Sequence, residues 1–331
     1  MGPLNKILVF LGLRRPPSEI FEPPTLLDHL LSSPLQYLVT KIYHTLLFLR
    51  GRPFRPPRNK RPIRVVVLSD THNLTLPREA IPDGDVLIHC GDLTVDGTVE
   101  ELQKQLNWLK SLGKFKYRLA IGGNHDVWFD PEQRKGVGME GELDMAGIEY
   151  LCDSSLKLQF EGGRRLNVYG WGAIPRCGDG FAYQYERGND IWRDRIPIET
   201  DVLITHTPPA YHLDLGLGCT SLLDEVWRVK PRLHIFGHVH WGRGKESVYY
   251  DKSQRAYESL MARPSSGFIY DLVPSVRWMD AFYVVRYGIG NLLWKWLMLG
   301  PGSNNGGLMV NAALMYGNTG RLGNRVAVVD L

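Results

Sequence analysis

Chemically reactive side chains in this 331-residue chain are grouped behind short apolar runs. Five of its ten histidines, together with three acids and one asparagine, directly follow such runs. The residues that share this placement are Asp70, His72, Asp92, Asn124, His125, Asp126, His206, His238 and His240. Bringing so many polar side chains together at one edge of a fold costs free energy unless a bound cation replaces their contacts with water. The pattern therefore predicts a metal site rather than unrelated structural residues.

The donor types indicate which metals such a site would take. Two aspartates, four histidines and one asparagine exceed what one ion binds beside water and substrate, so two ions are expected. Mixed nitrogen and oxygen donors favour Mn²⁺, Fe or Zn²⁺ over Ca²⁺ and Mg²⁺, which prefer oxygen ligands. Two ions roughly 3.5–4 Å apart clamp the attacking and leaving oxygens of an in-line displacement and generate hydroxide near neutral pH.

The apolar runs that precede these residues are typical of strands buried on both faces. We predict strands at 63–69, 85–90, 117–121, 165–170, 201–205 and 232–236, and closing strands at 307–311 and 325–330. Segments 98–112 and 219–229 lie between them and have the apolar spacing of helices. Alternating strands and helices predict an α/β sheet, which binds ligands at the carboxyl ends of its strands.

Charge and cysteine content exclude several classes of protein. Residues 1–61 carry ten Lys/Arg against three acids, and the remaining residues sum to −3. The core therefore lacks the basic surface that a nucleic-acid enzyme needs. Four widely separated cysteines disfavour a disulfide framework and a structural zinc site, so a reducing, cytoplasmic location is expected.

Two segments outside the predicted sheet are amphipathic or aromatic. Leu35, Leu38, Val39, Ile42, Leu46 and Leu49 form the apolar stripe of a helix that begins after Pro34. Segment 268–299 is rich in Trp and Tyr, with Arg or Lys every few positions. The uncharged runs are too short to span a bilayer. Two interpretations remain open: helix 35–49 packs on the protein's own core and 268–299 folds against that helix, or 35–49 and 268–299 associate peripherally with a membrane.

Five blocks of this sequence together resemble the signature of calcineurin-like metallophosphoesterases. The blocks, in order, are Asp70-x-His72, Gly91-Asp92, Gly123-Asn124-His125-Asp126, His206 and Gly237-His238-x-His240. The stretches IPDGDVLIHCGDLT, DVLITHTPP, LLDEVWRVKPRLHIFGHVH and VNAALMYGNTG are further similar to the metallophosphoesterase-domain-containing (MPPED-like) branch. The resemblance covers about 61–250 and 307–331.

This resemblance implies a four-layer αββα sandwich. The domain would span 62–250 plus 307–331, with a basic N-terminal arm at 1–61 and a hydrophobic, aromatic-rich insertion at 251–306. The implied ligands are Asp70, His72 and His240 for one ion, Asn124, His206 and His238 for the other, with Asp92 bridging. His125 would stabilise the transition state or protonate the leaving oxygen, with Asp126 orienting its ring.

The resulting expectation is a phosphoesterase that hydrolyses a small-molecule phosphodiester or phosphomonoester through a hydroxide shared by two divalent metals. The resemblance favours substrates similar to cyclic nucleotides. The alternative is a nucleotide-binding or membrane-associated scaffold protein with weak or no turnover. Trp171, Ile174, Pro175 and Phe181 follow a predicted strand and are candidates for either the substrate pocket or the core.

Overall fold

The computed structural model describes Ile7 and residues 22–56, 59–265, 267–298 and 306–331. The chain forms two compact units. Met1–Phe54 and Ser247–Gly306 form the first, which we call the helical unit. Arg55–Glu246 and Gly307–Leu331 form the second, which we call the sandwich unit.

The elements are numbered in chain order. The helices are α1 (Leu26–Ser32), α2 (Pro34–Arg50), α3 (Val99–Ser111), α4 (Pro131–Gly136), α5 (Thr220–Val229), α6 (Lys252–Ala262), α7 (Phe268–Asp271) and α8 (Val276–Leu297). The strands are β1 (Arg64–Leu68), β2 (Val86–His89), β3 (Tyr117–Ala120), β4 (Glu149–Tyr150), β5 (Ser154–Gln159), β6 (Arg165–Trp171), β7 (Ile174–Pro175), β8 (Gln184–Tyr185), β9 (Val202–Thr205), β10 (Leu233–Phe236), β11 (Gly244–Val248), β12 (Gly307–Asn311) and β13 (Ala327–Asp330).

Two sheets make up most of the sandwich unit. The five-stranded sheet has the order β13-β1-β2-β3-β4, in which β1 to β4 run parallel and β13 pairs antiparallel with β1. The six-stranded sheet has the order β11-β12-β10-β9-β6-β5. Its strands β12, β10, β9 and β6 are parallel, and β5 is antiparallel to β6. This is the α/β sandwich that the sequence predicts.

Burial explains which strands the sequence identifies. All four residues of β2, β9 and β10 are buried, as expected for parallel strands covered on both faces. The predicted strands are confirmed, with ends that shift by one or two residues. The pattern of apolar runs does not reveal strand β5, because its sequence SSLKLQ leaves alternate residues exposed at the sheet edge.

In the helical unit, α2, α6 and α8 pack around a small apolar core. Ser33 caps α2 by accepting a hydrogen bond from the Gln36 amide at 3.2 Å, and Pro34 occupies the first turn. The rings of Tyr43 and Tyr257 stack with centroids 4.1 Å apart. Leu35 and Val39 of α2 share this core with Ala281 and Val284 of α8, so the inward faces of α2 and α8 pack on each other. Among the residues described, no helix is long and apolar enough to cross a membrane.

Candidate metal centre

Polar residues follow the carboxyl ends of five parallel strands, three from one sheet and two from the other. Strand β1 leads to Asp70 and His72, β2 to Asp92, β3 to Asn124 and His125, β9 to His206, and β10 to His238 and His240. Four of these residues have left-handed backbones, namely Asp70 (φ 54°), His72 (φ 44°), Asp92 (φ 54°) and His238 (φ 64°). Such strain costs about 1–3 kcal/mol per residue and is concentrated at functional sites.

Asp70, His72 and His240 form the first half of the cluster. The Nε2 atoms of His72 and His240 lie 3.3 Å apart, and Nε2 of His240 lies 3.5 Å from a carboxylate oxygen of Asp70. Asp70 is fully buried. Its carboxylate also accepts the backbone N–H of His238 at 2.9 Å, which links the ends of β1 and β10. Three donors thus converge on one point.

Asn124, His206 and His238 form the second half. The Asn124 side-chain oxygen lies 3.1 Å from both Nε2 of His206 and Nδ1 of His238. Asp92 lies between the two halves: one carboxylate oxygen is 3.3 Å from His206 and 3.6 Å from His72. The structure therefore brings together all seven residues that the sequence singles out as metal donors, with Asp92 in the position that a shared ligand needs.

Backbone carbonyls orient two of the imidazoles. Nδ1 of His206 donates to the carbonyl of Cys90 at 2.8 Å, and Nδ1 of His240 donates to that of Gly317 at 2.9 Å. Each bond leaves Nε2 directed into the cluster, where it can bind a cation once that atom carries no proton. Metal-binding histidines have this arrangement. The donor set fits two divalent cations of the mixed nitrogen and oxygen type.

Two glycines permit the close approach of these loops. A Cβ on Gly237 would lie 2.0 Å from Ser69 Oγ and 2.2 Å from a carboxylate oxygen of Asp70. A Cβ on Gly123 would lie 2.2 Å from an Asp92 carboxylate oxygen. Both glycines directly precede donor residues in the sequence. Because the space around them is so small, a larger residue at either position would displace the neighbouring carboxylate.

The pKa values of the buried side chains in the cluster are shifted in different directions. Burial lowers the pKa of His238 to about 3, so its imidazole is a neutral donor at neutral pH. Burial also acts to lower the pKa of His206, but the adjacent Asp92 carboxylate outweighs it and raises the pKa to about 9. Burial acts to raise the pKa of Asp70, yet its hydrogen bond to His240 lowers it to about 2. A cation at His206 therefore takes the place of a proton.

His125 lies at the rim of the cluster. Its hydrogen bonds differ from the expectation that Asp126 orients its ring. Its ring is 4.8 Å from that of His72, and its Nδ1 donates to the carbonyl of Val95 at 2.7 Å. Asp126, expected to orient this ring, instead accepts the backbone amides of Gly123, Leu93 and Thr94 at 2.8–3.2 Å. Asp126 therefore joins the β2 and β3 loops, and a carbonyl orients His125.

Aromatic side chains flank the rim. The Phe181 ring lies 4.8 Å from that of His125, which places it beside the reacting groups. On the side of His240, Trp241 packs edge-on against Tyr316 at 4.8 Å. Nothing in the sequence distinguishes this pair beyond its place next to His240 and Gly317. Ile174 and Pro175 are buried, and Trp171 packs on Trp192 at 4.9 Å, so these three residues belong to the packing of the unit.

Fold and site together are those of a metallophosphoesterase sandwich with a candidate cation-binding cluster at the strand ends. Residues 63–242 match the sequence model of the calcineurin-like phosphoesterase family. The chain belongs to that family, which confirms the resemblance drawn from the five blocks. The family consists of hydrolases that act on phosphoesters and typically bind divalent metals.

Three relatives show how far the similarity extends. A UPF0046 protein of Caenorhabditis elegans is 37% identical over 225 residues, which cover 58% of this chain and 75% of that protein. Metallophosphoesterase domain-containing protein 1 of Homo sapiens is 35% identical over 220 residues, covering 58% and 65%. "Probable rhamnogalacturonate lyase C" of Emericella nidulans is 40% identical over 259 residues, covering 77% of this chain. The chain spans only 23% of the length of that last protein.

Proposed function

We propose that this protein hydrolyses small phosphodiesters, with cyclic nucleotides as the favoured class of substrate, at a centre of two divalent cations. The single observation that carries the proposal is the convergence of seven donor side chains beneath a histidine that is itself held by a backbone carbonyl. Asp70, His72 and His240 would bind one cation, and Asn124, His206 and His238 the other, with Asp92 shared.

Bound cations supply Lewis-acid activation of the phosphoryl group and of the attacking water. The chain's own residues position and protonate the substrate. Because Nδ1 of His125 donates to the Val95 carbonyl, only its Nε2 can exchange a proton with the substrate. In the imidazolium form that atom donates to the leaving oxygen, a general-acid role worth roughly 10²–10⁴-fold in rate.

The aromatic rim supports a nucleotide-like substrate. Phe181 stands next to His125, and Tyr316 is 47% exposed beside Trp241. Exposed aromatic faces stack on nucleobases with a gain of about 1–3 kcal/mol per base. A cyclic nucleotide offers both a phosphodiester for the cation cluster and a base for one of these rings.

The test is turnover and metal content measured on the same preparations. The full chain with Mn²⁺ is expected to hydrolyse bis-(p-nitrophenyl) phosphate and cyclic nucleotides faster than p-nitrophenyl phosphate. His125→Gln should lower kcat by roughly 10²-fold or more while metal content stays unchanged. Asp92→Asn should lose both, since it removes the shared carboxylate.

His44→Gln is the matched control, because His44 is exposed on α2 and its Nδ1 lies 2.9 Å from the Thr40 carbonyl of its own helix. It should retain turnover and metal. Full activity in the Asp92→Asn variant would contradict the shared role. Tight nucleotide binding without turnover for any metal would instead support the scaffold alternative.

A further inference from the structure

Helix α8 is apolar on its outer face as well as on the face that packs inside the helical unit. Ala281, Val284 and Gly288 form the inward stripe. The opposite side carries large exposed residues at helical spacing, which we call the α8 outer face: Trp278, Met279, Phe282, Ile289, Leu293, Trp296 and Leu297. Trp296 is 66% exposed and Leu297 76%. A surface helix of a globular protein normally places polar residues on this side.

The apolar surface continues into the turn that precedes α8. The indole N–H of Trp278 donates to the carbonyl of Asp271 at 2.8 Å, which fixes the start of α8 against α7. Around this bond, the exposed residues are again apolar or aromatic, namely Phe268, Ile269, Tyr270, Leu272 and Val273. Contiguous apolar patches larger than a few hundred Å² are rare on monomers and mark sites of association.

The charged residues of the helical unit indicate which kind of partner this surface binds. The described residues of the helical unit carry nine Lys/Arg and six Asp/Glu. Most of the acids are used inside the unit: Asp251 pairs with Arg50, Asp271 with Arg277 and Asp280 with Arg263, and Glu258 is buried. Arg286 is exposed and lies over the ring of its neighbour Tyr287. Arg286 lies within the α8 outer face.

We infer that the helical unit docks on an anionic lipid bilayer through the α8 outer face and the α7 turn. Tryptophan and tyrosine mixed with aliphatic residues and spaced Arg or Lys suit the headgroup region of a membrane. Arg286 would contact an acidic headgroup, a contact worth about 1 kcal/mol. Helix α8 would lie in the plane of the interface, with its inward stripe still packed on α2 and α6. This inference does not depend on the proposed hydrolytic activity.

Vesicle flotation of the full chain tests the inference. Phosphatidylcholine vesicles with and without phosphatidylserine are the two lipid arms. We expect the wild type to float with the anionic vesicles, less so at high salt, because screening weakens headgroup contacts. Phe282→Ser/Trp296→Ser should lower the partition coefficient by roughly tenfold or more. Arg286→Gln should lower it by roughly fivefold, since one surface cation is removed.

Matched controls come from the sandwich unit. Ile198 is 60% exposed and Lys135 is exposed on α4, so Ile198→Ser and Lys135→Gln remove an exposed apolar side chain and an exposed cation elsewhere. Both should float like the wild type. The substituted side chains are exposed, so thermal unfolding should match the wild type in all variants.

Three results would overturn docking on a membrane, and a fourth would refute its dependence on anionic lipid. One is a wild type that does not float, and another is equal flotation of Phe282→Ser/Trp296→Ser and wild type. The third is a lipid-free dimer in analytical ultracentrifugation that this double variant converts to a monomer, because the α8 outer face would then be a contact between copies of the chain. Equal binding to neutral and anionic vesicles would refute the assignment to anionic lipid.

Discussion

Gly237→Ala is the substitution that tests most finely how the cluster is built. The new methyl group would lie 2.0 Å from Ser69 Oγ and 2.2 Å from an Asp70 oxygen. Both neighbours have short, fully buried side chains, so the backbone after β10 has to move. Overpacking of this kind costs about 1–3 kcal/mol, which lowers Tm by roughly 3–10 °C in a domain of this size. The Asp70 carboxylate is expected to move together with the backbone after β10, because it accepts the His238 amide there.

The assay combines thermal unfolding with calorimetric titration of Mn²⁺. We expect Gly237→Ala to weaken the cation held by Asp70, His72 and His240 by at least about tenfold, as substitutions that disturb ligand orientation do. Gly136→Ala is the control, because a Cβ added there, at the end of α4, would meet no neighbouring group within 4 Å. Wild-type Tm and wild-type Mn²⁺ affinity in Gly237→Ala would refute the argument from close approach.

Three further substitutions test separate parts of the structure. Burial lowers the pKa of His234 to about 3, so between pH 6.5 and 3 the unfolded chain binds a proton that the folded chain does not. Stability should therefore fall by about 1.4 kcal/mol per pH unit on acidification, and His234→Asn should remove that part of the slope in urea unfolding. Gly288→Leu should destabilise the helical unit by about 1–3 kcal/mol in calorimetry, because a Cβ there meets Leu46 at 2.5 Å, whereas Gly290→Ala, in open space, should stabilise it slightly. Phe181→Leu should raise KM for a cyclic nucleotide roughly fivefold or more with metal content unchanged, and an unaltered KM would exclude stacking on this ring.

Much of the sandwich unit can be predicted because its parallel strands are apolar on both faces. Five of those strands end at polar residues of types that bind metals, so the sequence also identifies the donor set. Edge strand β5 lacks this signal, since its exposed Lys157 and Gln159 alternate with inward residues. Edge strands pack on one face only, and short ones are easily taken for loops.

The features that the sequence does not reveal are those made by the backbone or by distant packing. The carbonyls of Val95, Cys90 and Gly317 orient three histidines, and a carbonyl has no sequence signature. The family resemblance implies that Asp126 orients His125, but the fold directs the Asp126 carboxylate into the β2 loop.

The helical unit shows the same limit over a longer separation. Ser33 accepts from Arg277 at 2.7 Å and donates to Asp271 at 2.5 Å across more than 230 residues of chain. The apolar patterns leave open whether 268–299 packs on α2, and they do not indicate that α6 also takes part.

The number of divalent cations per chain tests the central claim most directly. We predict that metal analysis of the full chain, saturated with Mn²⁺ and then freed of excess, finds two bound ions, because the donors of both halves converge around Asp92. One ion, or none, per correctly folded chain would contradict the account of the site.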